Sequence, residues 1–261
     1  MDKKYKLTEE TINVNSRTLY RIEALKDFGN VRKGEKGGFI EKESNLSQNG
    51  DCWVYDNAKV YDDAIVLNDA SICDNAVVCG EAMVCNSAKV CTNAIVNDIA
   101  VVYGNAEIFG DAWVYGNAKV YGNAKVCGDA EVFDNATIYD NAIIYGNAKV
   151  YGNALIGSNA RIYGNAFVYD NAEVCGNAKV HDDARVYGNA VVFDYAEIYG
   201  NAQVYNKAEV CDNAEIYGNA EIYGNARVYC NTVVCDNAEV CGYSKLFGNA
   251  VIRDNTKVCD D

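Results

Sequence analysis

From Ala58 onward the chain alternates small, polar, aliphatic, polar, then breaks step with two turn-forming residues, as in A-K-V-Y-G-N at Ala118–Asn123. The small residue recurs every six positions to Thr256 without insertion or deletion, which makes 34 units; only Thr232, Ser244 and Thr256 replace Ala. Two residues after each stands Val or Ile, with Leu246 the one exception. A period of two puts the small and aliphatic residues on one side of a strand and the Lys and Tyr on the other. The G-N, D-N and D-D pairs that follow tolerate positive φ and turn the chain. Each unit therefore predicts a four-residue strand and a two-residue corner. Three corners close a coil of 18 residues, and stacked coils pair in parallel about 4.8 Å apart. A repeat of this regularity decides the fold before any local propensity does.

The pattern resembles the hexapeptide signature of left-handed parallel β-helices, aliphatic-x-x-x-small-x, over residues 52–261. The expectation is an all-β, single-stranded left-handed parallel β-helix of triangular 18-residue coils. A period of five would have indicated the square pentapeptide helix instead. Residues 1–51 break the period: Thr18–Phe28 alternates like a strand and Val31–Ser44 reads as a hairpin or loop. They are expected to form a small β-rich N-terminal cap over an edge that would otherwise leave backbone unpaired. Within Leu19–Ala58, the elements Asp27-Phe28, Gly37-Gly38, Asn45-Leu46-Ser47 and Gly50-Asp51-Cys52-Trp53 resemble the N-terminal region of YdcK-like bacterial and prophage proteins. That resemblance implies the β-helix, together with a transferase label that rests on fold alone.

Composition sharpens the functional question. The 261 residues include no Pro, one His, 20 Tyr and 12 Cys, with a net charge of −14. Residues 1–51 carry 10 basic against 9 acidic side chains, a net of +1, so the remainder (13 against 28) holds −15. Such a field repels phosphate and disfavours direct binding to nucleic acid or an anionic membrane. It suits a protein partner with a basic groove, such as a nucleic-acid-binding protein. No apolar run approaches the roughly 20 residues of a membrane span. A cytoplasmic protein with reduced thiols is expected.

Two enzyme classes use hexapeptide helices. A zinc carbonic anhydrase needs three imidazoles, and His181 is the sole histidine. An acyltransferase needs a general base, and His181 with Asp182 or Asp183 beside it is the weak candidate. It occupies, however, the position held by Tyr145, Tyr163, Tyr199 and Tyr217, and no insertion among the 34 units supplies a pocket wall. Of the cysteines, only those 18 apart are vertical neighbours, Cys73 with Cys91 and Cys241 with Cys259. Their spacing allows a disulfide; reduced thiols are the expectation, with no metal site and no cofactor.

What remains is surface. At 18-residue spacing one face reads Tyr61, Cys79, Asn97, Tyr115, Phe133, Tyr151, Tyr169, Tyr187, Tyr205, Tyr223, with Trp113 and Phe167 beside it. The seven aromatic rungs from Tyr115 to Tyr223 form a structural ladder and the expected partner-binding face. The sequence thus points to a non-enzymatic, rigid, acidic structural or protein-interaction rod. Its partner is a second copy or another protein, and a phage-type inhibitor or nucleic-acid mimic is its sharpest form. A hexapeptide-class acyltransferase is the alternative.

Overall fold

The computed structural model describes residues 3–260. The chain divides between Gly128 and Asp129 into two compact units. No α-helix occurs among the described residues.

The first unit opens with an antiparallel hairpin of β1 (Tyr5–Val14) and β2 (Arg17–Ala24), to which β3 (Lys36–Ile40) adds antiparallel. β3 then pairs in parallel with Lys59–Val60, and Leu46 bridges in parallel to Val66. Parallel stacking thus begins at Phe39, ahead of the first regular hexapeptide. This opening coil is two residues longer than the rest, since Ile40 and Val60 pair 20 apart while Val54 and Ile72 pair 18 apart.

The quoted family-like elements explain how the opening coil closes. A Cβ at Gly37 would lie 2.5 Å from the Val54 carbonyl oxygen, and one at Gly38 equally close to that of Ala58. Only glycine admits that approach. The buried Asn45 donates through Nδ2 to the carbonyls of Asp62 (3.0 Å) and Ala64 (2.8 Å) and accepts from the Lys42 N–H (2.9 Å), so three backbone groups depend on one amide. Trp53 is fully buried, edge-on to Tyr5 and Phe28.

Both units repeat one cross-section. In the second, Glu131–Val132 pairs with Lys149–Val150 and that with Phe167–Val168, and equivalent columns run through Thr137–Ile138 and Ile143–Ile144. Each strand donates to the coil that follows, as Tyr151 N–H does to the Val168 carbonyl (3.0 Å). The Ala and the Val or Ile of nearly every unit are fully buried; each Val or Ile contributes roughly 1.5–3 kcal/mol when removed from water. The two buried exceptions to Ala are satisfied by backbone carbonyls. Buried Thr232 donates its hydroxyl to the Tyr229 carbonyl (2.8 Å), and Ser244 to that of Val258 (3.2 Å).

The corners are asymmetric. Their first residue takes the left-handed conformation, whether Gly (Gly152, φ 69°) or Asp (Asp134, φ 56°; Asp170, φ 58°). Glycine adopts it freely. Aspartate accepts its strain and returns a hydrogen bond: Asp134 Oδ2 takes the Gly152 N–H (3.2 Å), Asp170 that of Gly188 (3.2 Å), and Asp212 that of Cys230 (2.8 Å). The second corner residues form amide ladders, such as Asn201 to Asn219 to Asn237.

Candidate binding faces

In the second unit six rings stack from Phe133 through Tyr151, Tyr169, Tyr187 and Tyr205 to Tyr223. Their centroids lie 4.8–5.1 Å apart and their planes within 10° of parallel. The strand spacing imposes this geometry, because side chains 18 apart start from paired backbone positions. Each ring covers the face of the next, so the ladder offers solvent ring edges rather than faces; every rung is half-buried. Three of the hydroxyls are also engaged. Tyr205 donates to Glu221 (2.9 Å), Tyr223 to Glu239 (2.9 Å) and Tyr187 to Gln203 (3.2 Å). Burial, and then the neighbouring phenols Tyr187 and Tyr151, push Tyr169 up to about 12. The adjacent column is mostly charged, with Lys149 paired to Glu131 (2.8 Å) and Lys257 to Glu239 (2.6 Å). Phe167 stands in that column with the Arg185 guanidinium 5.7 Å from its ring.

A second ladder carries His181. Its imidazole stacks between Tyr163 (4.5 Å) and Tyr199 (5.1 Å), nearly parallel to both. Its Nε2 lies 2.9 Å from Glu197 and its Nδ1 3.3 Å from Asp182. Both ring faces are covered and both nitrogens lie against carboxylates. Asp183 accepts instead from the Asn165 amide (3.0 Å) in a corner ladder.

In the first unit Tyr115 meets Trp113 edge to face, with ring centroids 6.5 Å apart. Trp113 is half exposed, unlike the ladder rungs of the second unit. Tyr103 and Tyr121 stack at 4.7 Å in another column. The thiol expectation is corrected at two rungs: Cys73 and Cys91, and Cys241 and Cys259, are joined as disulfides, each with Cα atoms 4.6 Å apart. Paired parallel strands hold cysteines 18 apart within the span a disulfide bridges. Asp74 adjoins the first pair, but joined sulfurs leave only its carboxylate for a cation. The corner aspartates that accept backbone N–H groups were missed from sequence; the recurrence of Asp among the glycines of the first corner position was the available signal.

Three parallel β columns with an 18-residue repeat define a β-solenoid repeat protein. Residues 160–176 and 221–236 match the family model described as YdcK Beta solenoid repeat. Over 38 residues the chain is 47% identical to a protein of Escherichia coli (strain K12) named "Uncharacterized acetyltransferase YdcK". That match covers 15% of this chain and 12% of the relative's length. The chain thus carries YdcK-type solenoid repeats, in agreement with the resemblance read from its N-terminal elements.

Proposed function

We propose that this protein is a non-catalytic structural or interaction module that associates through its aromatic ladder. The unbroken row of ring edges from Phe133 to Tyr223 carries the reading, since a flat strip of this kind suits a second copy or another flat-faced partner. Phe167, in the adjacent column of the same unit, belongs to the same proposed surface. The engaged nitrogens and covered faces of His181 support a structural rung over a general base. The acidity that suggests a nucleic-acid mimic has a structural use as well, because many corner aspartates hold backbone N–H groups one coil away.

The test is the mass in solution of the parent and of a variant with Tyr151, Tyr169 and Tyr187 changed together to Lys. The parent is expected to associate, more strongly in moderate salt because salt screens its negative charge, and the variant to be monomeric. A monomeric parent, or a variant that still associates, defeats the assignment.

The relative's name favours a second reading, acetyl transfer. On that reading His181→Tyr would abolish turnover with acetyl-coenzyme A; on ours it leaves partner binding and the fold intact. A cytoplasmic setting is part of the proposal. No described helix is long and apolar enough to cross a membrane. The two disulfides favour an oxidising compartment, and a free-thiol count on protein trapped directly from cells decides between them.

A further inference from the structure

The ring column of the first unit is interrupted. Between Tyr61 and Tyr115 stand Cys79 and Asn97, two short side chains in successive rung positions, over a distance of about three strand spacings, roughly 14 Å. Beneath them the adjacent column is apolar where the second unit is charged: Val77 pairs with Ile95, and Ile95 with Trp113. The result is a notch of about 430 Å³ lined by these seven residues, within the size range of small-molecule pockets. One end is closed. Ile12, Val14 and Leu19 of the β1–β2 hairpin pack with Tyr61 and Cys79, which are each only 7% exposed. The other end is walled by Trp113 and Tyr115, which meet at 80°. Over Ile95 and Asn97 it is open.

The polar groups are few and point to the occupant's charge. The Cys79 thiol donates to Asn97 Oδ1 (3.1 Å), which leaves the Asn97 Nδ2 hydrogens for a ligand acceptor. Arg17, 5.8 Å from the Tyr61 ring, is already paired with Asp62 and with Glu41 (3.7 Å), and Lys59, in register with Val77, donates to the Asn57 carbonyl (3.2 Å). The Asp98 carboxylate, at the adjoining corner, accepts the Gly116 N–H (3.0 Å). The surroundings therefore lean negative and repel an anion. A half-exposed indole set square to a phenol presents two aromatic surfaces at once, an arrangement that holds a flat ring by stacking on one and edge contact with the other.

We infer that this notch binds a planar aromatic molecule, uncharged or cationic, one ring of which occupies the rung position above Asn97. The site does not depend on the ladder association proposed above. Its test uses proflavine, a flat three-ring cation, against anthraquinone-2-sulfonate, a flat three-ring anion, in moderate salt. Trp113 and the fully buried Trp53 are the chain's two tryptophans, so indole N–H resonances report the site separately from the core. Proflavine is expected to bind saturably at one per chain, shifting the Trp113 resonance and leaving that of Trp53 in place, with the anion binding far more weakly. Cys79→Tyr with Asn97→Tyr completes the ladder and fills the notch, and should weaken proflavine by roughly tenfold or more through loss of stacking contact. Should that pair disturb the fold, Ile95→Lys tests the same floor by charge. The Tyr151/Tyr169/Tyr187→Lys variant should bind proflavine as the parent does, which separates failure of this site from failure of the association. Unsaturable binding, equal binding of anion and cation, or full affinity in both the filled and Ile95→Lys variants overturns the inference.

Discussion

The two units share a core cross-section and differ in one outward pair of columns. In the second unit the rings run unbroken from Phe133 to Tyr223, beside a column rich in Glu, Lys, Arg and Gln. In the first unit the rings lapse at Cys79 and Asn97, and the column beside them is Val77, Ile95 and Trp113. Inside, nearly every position is limited to Ala, Val or Ile by the volume the coil encloses. Outside, composition follows local need. Continuous phenols call for acceptors, and Gln203, Glu221 and Glu239 supply them to Tyr187, Tyr205 and Tyr223. An interrupted ladder has fewer hydroxyls to satisfy, so apolar neighbours can line a notch. Repetition of the core thus leaves the surface free to specialise.

Four changes would break or sharpen this comparison. The largest effect is expected inside, where the units are alike. Val150→Asp places an unpaired carboxylate against fully buried neighbours at a cost of several kcal/mol, and calorimetry should show the cooperative transition lowered by many degrees or lost. Tyr169→Ala opens in the second unit a gap like that of the first. It removes two stacked contacts, about 1–3 kcal/mol together, measured by denaturant unfolding.

A smaller effect tests the corners. Asp170→Ala keeps a left-handed φ that Ala tolerates poorly and loses the acceptor for the Gly188 N–H, for about 1–2 kcal/mol. Asp170→Gly loses only the acceptor while relieving the strain, so it should be the more stable of the two; the reverse order would remove the account of why Asp alternates with Gly.

The smallest effect per ring comes from alkaline pH. Tyr169 is raised to about 12 by burial first and neighbouring phenols second, against about 10 in an unfolded chain. Its contribution is fully present below pH ~10 and is lost as pH rises through about 12, because the unfolded chain releases the phenolic proton first. A melting temperature that holds to pH ~9 and then falls is expected, with tyrosinate absorbance lagging that of free tyrosine. Absorbance that rises as for free tyrosine would mean the ladder rungs are solvated.

Much of this was legible in the chain itself. The six-residue period placed Ala58, Val60 and their repeats inside and Tyr151 and its repeats in one outward column. It also marked Cys73 with Cys91, and Cys241 with Cys259, as the vertical pairs. Periodicity reads well because a two-residue alternation and a fixed corner leave the chain no second register. The resemblance in Leu19–Ala58 marked residues whose work is to close the opening coil, such as Gly37, Gly38 and Asn45. Their irregular spacing hid that coil from a search for hexapeptides.

The sequence by itself determined the coil, its core and the columns, because those follow from contacts repeated at one constant separation. Only the tertiary structure decided which columns are covered, tied or open. The β1–β2 hairpin, whose placement no repeat encodes, buries Tyr61 and Cys79 and closes one end of the notch. Glu197, sixteen residues on, meets Nε2 of His181, which reads in sequence as one more residue in a row of Tyr. The corner aspartates turn from surface charge into backbone acceptors only when the next coil brings its N–H within reach. In each case the deciding partner lies in another coil or in the hairpin, where the six-residue pattern is silent and only the folded geometry supplies the contact.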